Sequence, residues 1–399
     1  MLPKDWNQAT LESLCHAPIT YGVLKPGEYC TNGTPLLQIK DLLGNLDNQE
    51  NIHRISDELD FEYRRSKIQV NDILISLVGT VGRIAIVPAS LDGANIHRNI
   101  ARIRTKNYEF LVHYLNSDVA KNRIGLSSSG SSQSALNLSV LRALKVPVPP
   151  LPEQQKIAKI LSTWDNAISA TKRLLENSQQ RKKALMQQLL TGKKRLPGFE
   201  GEWVKKRLID VVKIETGSSK SASVNDNGTN FIIDMGSVTR SGRLVPTKRT
   251  SLDGPYLVTG QLVMPKDDIG GGNIIGRVGV IPEDNKYILA DHVYALTPLG
   301  GIDSHFLGYL INSDVVNKSL RRKANGTAQL GLGRKDVERQ DILIPSDIRE
   351  QKSIGQIILL NDQENELLQK RLDHLRLEKK ALMQQLLTGK RRVLVDTAA

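Results

Sequence analysis

The sequence has few cysteines and no long apolar segment, and each absence excludes a class of protein. Cys15 and Cys30 are the only cysteines in 399 residues, too few for a disulfide framework or a structural zinc site. No apolar run approaches the roughly 20 residues that span a bilayer. Residues 1–6 contain Lys4 and Asp5 and do not lead into an apolar run, whereas a secretory signal would be basic and then apolar. We therefore expect a cytoplasmic protein.

Motifs of catalysis are also lacking. The seven histidines show no metal-ligand spacing, and Asp267-Asp268 fits a solvated turn better than a metal site. Residues 271–277 resemble a phosphate-binding loop only superficially, because Arg and Val follow the glycines where Lys and Ser or Thr are needed. Neither an amino-methyltransferase motif nor a nuclease motif occurs. We expect a non-catalytic chain that holds no metal and no cofactor.

The charge balance points to a polyanionic partner. Fifty-five Lys and Arg residues stand against 42 Asp and Glu residues, a net charge of +13. A basic surface attracts nucleic acid, although many basic proteins bind none.

An internal duplication organises the chain. The twelve residues from Lys182 to Lys193 recur without change from Lys379 to Lys390, and Gly82–Pro88 and Asn116–Val119 correspond to Gly276–Pro282 and Asn312–Val315. The predicted layout is a first domain (1–149), a helix (150–194), a second domain (195–346), a second helix (347–391) and a disordered tail (392–399). The two helical regions are more similar to each other in sequence than the two domains are. This difference is expected if a duplicated scaffold carries two domains that recognise different targets.

Both helical regions carry an apolar stripe with alternating spacings of four and three residues. Seven of ten stripe positions are apolar in each helix, which is typical of a coiled coil. The predicted helix-helix contacts are Ile157, Leu161, Trp164, Ile168, Leu175, Leu185 and Leu189 with Ile354, Ile358, Leu368, Leu372, Leu375, Leu382 and Leu386. We expect antiparallel packing, related by a pseudo-twofold axis, over roughly 60 Å. The alternative is an ordinary helical hairpin inside a larger core.

Each domain has a mixed α/β pattern. Strands are predicted at 72–78 and 83–87 and again at 261–264 and 278–281, and short helices at 109–122 and 305–320. Polar and basic turns supply side chains that can contact bases and phosphates. The candidate DNA-binding residues are Arg98, Asn99, Ser128, Ser131, Gln133 and Ser134 in the first domain, and Arg240, Arg243, Lys248, Arg249, Arg321, Arg322, Lys323 and Gln329 in the second. Ordinary surface loops are the alternative interpretation.

These segments together resemble the specificity subunits of type I restriction-modification systems. The resemblance rests on residues 72–83, on 95–101, on 129–133 followed by 146–155, and on Leu189–Gly192 with its copy. It covers nearly the whole chain. The second domain departs from the pattern at residues 270–275 and at Asp291-His292, which stands where Arg98-Asn99 is expected.

The resemblance implies that each domain is a target recognition domain that reads one half of a bipartite DNA site, with the helices setting the gap. Two modification subunits would dock on the helices and nearby domain surfaces and bring S-adenosylmethionine for adenine methylation. Restriction subunits would add ATP- and Mg-dependent translocation and cleavage. Two alternatives remain, a coiled-coil scaffold that reads no DNA and a self-contained DNA enzyme.

Overall fold

The computed structural model describes residues 2–43, 46, 51–124, 135–269, 271–326 and 330–395. The chain divides into two compact units, Met1–Thr171 with Arg371–Ala399, and Lys172–Lys370. Each unit therefore combines a globular α/β domain with segments of both long helices. The expected fold class, two mixed α/β domains with two long helices, is confirmed.

The strands and short helices of the first unit are β1 (Asn7–Thr10), β2 (Thr20–Tyr21), β3 (Thr34–Leu37), β4 (His53–Ile55), α1 (Asp57–Glu62), β5 (Ile73–Ser76), β6 (Ile84–Ile86), β7 (Asn95–Ile96), β8 (Ile100–Ile103), α2 (Tyr108–Asn116), α3 (Asp118–Arg123), α4 (Leu138–Ala143) and β9 (Lys145–Val148). The long helix α5 (Leu151–Leu189) follows. One sheet has the order β2-β8-β5-β6 and another β4-β3-β7, and β1 pairs with β9.

The second unit contains β10 (Trp203–Arg207), β11 (Val212–Thr216), β12 (Asn230–Ile233), β13 (Arg249–Thr250), β14 (Leu262–Pro265), β15 (Asp267–Asp268), β16 (Gly279–Val280), β17 (Tyr287–Leu289), β18 (Val293–Pro298), α6 (Ser304–Asn312), α7 (Asp314–Lys323), β19 (Leu330–Gly331), α8 (Arg334–Glu338) and β20 (Asp341–Pro345). The second long helix is α9 (Ile348–Leu386). The sheet orders β11-β18-β14-β16, β13-β12-β17 and β10-β20 repeat those of the first unit, and β15 pairs with β19.

The predicted strand pairs are confirmed as β5 with β6 and β14 with β16. The prediction of one continuous helix after them in each domain was wrong. Ser117 ends α2 and caps α3, because its hydroxyl accepts a hydrogen bond from the Ala120 amide at 3.2 Å. Ser313 does the same between α6 and α7. The break creates a corner between the two short helices of each domain. We call these segments, Asn116–Val119 and Asn312–Val315, the polar corners.

The two long helices run antiparallel within each unit. In the first unit Ile157 and Leu386 belong to one apolar core, and further along α5 Asp165 lies 2.5 Å from Lys379. In the second unit Leu189 shares a core with Ile354, and Lys182 lies 2.5 Å from Asp362. As residue numbers rise along α5 they fall along α9 in both places.

The apolar stripes are turned away from solvent. Every stripe position of α5 and α9 is buried or half-buried, whereas apolar residues off the stripe, such as Leu174, Leu367 and Leu377, are exposed. Such burial stabilises by about 25 cal/mol per Å² of apolar area removed from water. Three stripe positions of each helix are polar, and Lys182 and Lys379 are satisfied by the ion pairs described above.

A buried glutamate lies in the first turn of each long helix. Glu153 accepts hydrogen bonds from the Trp6 indole and from Arg392, which also pairs with Asp5. Glu350 makes a two-pronged ion pair with Arg195. Arg392 is the first residue of the segment 392–399, which the sequence predicts to be a disordered tail. Its contacts hold the chain after α9 against the start of the first domain.

Candidate nucleic-acid interface

Arg98 and Asn99 lie in the tight turn between β7 and β8. The turn is closed by the Ile100 amide, which donates to the His97 carbonyl at 2.9 Å. The Asn99 amide donates to Nδ1 of His97 at 3.4 Å. Burial and the neighbouring Arg98 charge lower the pKa of His97, so the ring stays neutral and keeps this acceptor. Arg98 is left exposed on this turn.

Five candidates fall outside the described residues. Ser128, Ser131, Gln133 and Ser134 lie in the stretch 125–134, and Gln329 lies in 327–329. Their assignment as DNA contacts stays a prediction.

Arg321 and Arg322 are exposed at the carboxyl end of α7. They line a cavity of about 300 Å³ together with Gly271, Gly272 and Leu330. Both glycines have positive φ angles, 82° and 77°, which allow the backbone to approach the arginine side chains. Lys323 is different, because its ammonium donates to Gln340 Oε1 at 3.0 Å. This hydrogen bond joins α7 to the segment after α8, and the assignment of Lys323 as a DNA contact stays a prediction.

The other basic candidates of the second domain occupy two further places. Arg240 and Arg243 flank a turn in which the Thr239 hydroxyl accepts from the Arg243 amide, and both side chains are exposed. Lys248 forms an ion pair with Asp234 at 2.7 Å, and the Arg249 guanidinium lies over the Phe231 ring. Lys248 and Arg249 are thus partly engaged within the domain, whereas Arg240 and Arg243 have greater freedom to contact phosphates.

Sequence reasoning missed the contact that a histidine of the second domain makes with a carboxylate. His292 lies between β17 and β18 with a φ angle of 64°, and its Nδ1 is 2.6 Å from Asp267 Oδ2. It occupies the place that Asn99 holds before β8. The available signal was the replacement of Arg98-Asn99 by Asp291-His292, but nothing in the sequence pairs His292 with a residue 25 positions away.

Each unit also has a groove between the polar corner of its domain and a long helix. The first groove, about 270 Å³, is lined by Asn116–Val119, Asp165, Ile168, Arg376, Lys379, Lys380, Met383 and Gln384. The second groove, about 580 Å³, is lined by Asn312–Val315, Tyr309, Gln179, Lys182, Lys183, Met186, Gln187, Thr191, Lys193, Arg240, Ser241 and Arg277. The two grooves are made of equivalent parts of the repeat, and the lysine, methionine and glutamine positions on the helix are identical.

A lysine-aspartate ion pair beside an uncharged ring lies at each groove. In the second unit the Tyr309 hydroxyl donates to Asp362 at 2.9 Å, and Asp362 pairs with Lys182. Burial and the Asp362 charge raise the pKa of Tyr309, so the phenol keeps its proton.

The corresponding set of three residues in the first unit has a histidine in place of the tyrosine. His113 lies 3.7 Å from Asp165, which pairs with Lys379. Burial, with the Lys379 charge, lowers the pKa of His113 to about 4. Its ring is therefore neutral near pH 7, and its Nε2 lies 3.1 Å from the Ser162 hydroxyl.

Among the residues that the structure describes, no group of three or more His, Cys, Asp or Glu side chains could hold a metal ion. Within the same part of the chain, no helix combines the length and apolar character needed to cross a membrane.

Comparison with known proteins assigns the family. The model of the type I restriction modification DNA specificity domain matches residues 3–177 and again 200–377. The chain belongs to this family. The two matches show that the specificity domain is present twice, as the duplication indicates.

The specificity-domain chain is similar to named relatives. It is 30% identical over 209 residues to the type I restriction enzyme EcoBI specificity subunit of Escherichia coli. This alignment covers 51% of the chain and 43% of that relative. It is 28% identical over 288 residues to the MjaVIII specificity subunit of Methanocaldococcus jannaschii, covering 67% of the chain and 66% of the relative. The alignment with the EcoBI subunit thus spans less than half of that relative's length.

A solved structure shares the fold over nearly the full length of the specificity-domain chain. The S subunit of a type I restriction-modification system from M. genitalium has a TM-score of 0.64 and covers 97% of this chain and 98% of its own. The sequence identity is 14%, so this likeness concerns the fold alone.

Proposed function

We propose that this chain is the sequence-recognition subunit of a type I restriction-modification complex, with each globular domain contacting one half of a bipartite DNA site. The proposal rests on the internal duplication, in which some parts of the two copies are the same and others differ. The sheet orders of the two units agree and the helix ends are identical, while the exposed turns differ between the domains. A protein with two domains that recognise different DNA sequences needs a common fold in both domains and different side chains on their exposed turns.

The exposed turns suit DNA contact. Arg98 in the first domain and Arg243 in the second present guanidinium groups on exposed turns, and Arg321 and Arg322 present theirs at the carboxyl end of α7. Guanidinium groups bind phosphates and the guanine edge in two-pronged fashion. The net charge of +13 supplies the long-range attraction.

The long helices would set the gap between the half-sites. Each has 39 residues, about 60 Å at 1.5 Å per residue. A DNA turn is about 34 Å. Helices of this length can hold two reading surfaces more than one turn apart.

The grooves support the presence of two copies of one partner. Lys182, Lys183, Met186 and Gln187 line the second groove, and their copies Lys379, Lys380, Met383 and Gln384 line the first. Because equivalent surfaces bind equivalent partners, one modification subunit would dock at each groove. Those partners would bring S-adenosylmethionine, and restriction subunits would bring ATP and Mg²⁺. This chain would supply no catalytic residue.

A mobility-shift assay of the chain assembled with its modification subunits tests this function. We expect binding to genomic fragments that weakens steeply with salt, and a footprint over two short separated sequences. Absence of any shift at low salt would instead support a scaffold that reads no DNA. Methyl transfer or cleavage by the purified chain alone would show that it is an enzyme.

A further inference from the structure

We infer that His292 contacts a base edge in the half-site of the second domain and that Asp267 is its positioning residue. This inference rests on the proposed function and specifies where the second domain obtains its sequence preference.

The backbone of His292 is held in an unusual conformation. Its φ angle of 64° lies in the left-handed region, which only a few per cent of residues other than glycine adopt, with histidine, asparagine and aspartate the most frequent among them. The His292 carbonyl accepts a hydrogen bond from the Lys266 amide at 3.0 Å, which fixes the residue against the β15 side of the domain. Strained backbone of this kind is often maintained where a side chain must point in one direction.

The ring itself is oriented by a carboxylate. Nδ1 lies 2.6 Å from Asp267 Oδ2, while the His292 side chain is 49% exposed and the Asp267 side chain only 18%. A carboxylate can only accept, so Nδ1 carries the proton. Nε2 lies 3.6 Å from Asp291 Oδ2, beyond hydrogen-bonding distance. In the neutral ring Nε2 is thus an available acceptor at the surface.

An oriented acceptor matches a specific feature of DNA. The exocyclic amino groups of adenine and cytosine are the donors in the major groove, whereas guanine and thymine present acceptors there. A ring whose tautomer is set by Asp267 would favour adenine or cytosine at one position. A freely rotating or differently protonated ring would discriminate less.

The strand that carries Asp267 links His292 to the cavity lined by Arg321 and Arg322. Asp267 and Asp268 on β15 pair with Gly331 and Leu330 on β19. Leu330 in turn lines the cavity that contains the exposed Arg321. We therefore expect His292 to contact a base while Arg321 contacts a backbone phosphate, because base contacts give sequence specificity and phosphate contacts fix the position of the protein on DNA.

The repeat supplies an independent argument. The strands on either side of this turn are equivalent in the two domains, since β8 and β18 lie at the same place in sheets of the same order. The turn itself changes from Arg98-Asn99 to Asp291-His292. If the two domains read different half-sites, we expect the side chains of this turn to differ while the strands that hold the turn stay the same.

The test uses the full chain assembled with its modification subunits and a DNA library randomised in the second half-site. His292→Gly is the main variant, because glycine adopts the positive φ angle without strain and folding is preserved. We expect discrimination at one base position to fall about tenfold or more, with the other positions and the first half-site unchanged. Asp267→Asn should weaken discrimination at the same position.

Arg322→Ala is the matched control, since loss of a phosphate contact weakens methylation of all sequences alike and lowers the salt slope by about one. If His292→Gly retains the wild-type preference at every position, or weakens all sequences uniformly, the inference is wrong. If the wild-type complex itself shows no two-part sequence preference, the proposed function fails instead.

Discussion

The ammonium of Lys182 lies 2.5 Å from Asp362 Oδ1, and this pair has a copy between Lys379 and Asp165. Both pairs join α5 to α9, one within each unit, and both lie beneath the polar corner of a domain. The same three positions, a lysine, an aspartate and an aromatic or imidazole ring, thus occur twice in the chain. The two ion pairs therefore fix the register between α5 and α9 within each unit.

The first prediction concerns the strength of this pair. Asp362→Ala leaves the half-buried Lys182 ammonium and the Tyr309 hydroxyl without their partner. We expect the free energy of unfolding of the second unit to fall by about 1–3 kcal/mol. Chemical denaturation followed by fluorescence or circular dichroism measures it. Glu366→Ala, which removes an exposed helical ion pair, is the control and should change stability by less than about 0.5 kcal/mol. Equal effects would contradict the assigned role.

The second prediction concerns pH. Because the pKa of His113 is lowered from 6.5 to about 4 in the folded chain, the unfolded chain binds the extra proton first as the pH falls. Stability supplied by neutral His113 is complete above pH 6.5 and is lost as the pH falls toward 4, by at most about 3 kcal/mol.

His113→Tyr, which introduces the residue found at the equivalent position of the second unit, should flatten the loss of stability between pH 6.5 and 4. Unfolding curves across this range provide the measurement. His374→Gln serves as the control, since His374 is exposed. A pH dependence unchanged in His113→Tyr would show that His113 does not titrate in this window.

Much of the fold could be predicted from the sequence because its signals are local. The strands at β5 and β6 follow from apolar runs bounded by glycines, and the long helices from a regular stripe. The break at Ser117 also had a local signal, serine before aspartate, but the apolar pattern on both sides obscured it.

The candidate site was less predictable. The sequence shows that Lys248 and Lys323 are basic, but only the folded chain shows that Asp234 and Gln340 bind them. The contact between His292 and Asp267 likewise depends on which strands are neighbours. Contacts between distant residues are set by topology, so composition and spacing do not specify them.

The third prediction concerns the partner surface. Val315 is 68% exposed and lines the second groove. Val315→Asp should leave folding intact but prevent one modification subunit from docking, because the exposed apolar side chain that would pack against the partner is replaced by a carboxylate that must lose its hydration there. Native mass spectrometry should then show one modification subunit per chain rather than two.

Val258→Asp is the matched control, because Val258 is 50% exposed and is not among the residues that line the second groove. It should retain two modification subunits. Two bound subunits in Val315→Asp would exclude this groove as a docking surface.

The fourth prediction concerns the helices as a spacer. Ser178 donates to Glu364 at 3.0 Å and Lys182 pairs with Asp362, so the chain after Gln180 faces the chain after Asn361. Seven residues inserted at both places preserve the apolar stripe and add about 10 Å to each helix. The gap between half-sites should lengthen by about three base pairs, with the bases read unchanged. Methylation mapping reports the gap, and an unaltered gap would contradict the spacer role.

Exchange of one domain tests the central claim most directly. Residues 1–149 are replaced by the corresponding domain of a relative that reads a different half-site, and the methylated sites of host DNA are mapped for both chains. The account predicts that one half of the site changes while the other half and the gap stay the same. If both halves change together, or if neither changes, the two domains do not read DNA independently.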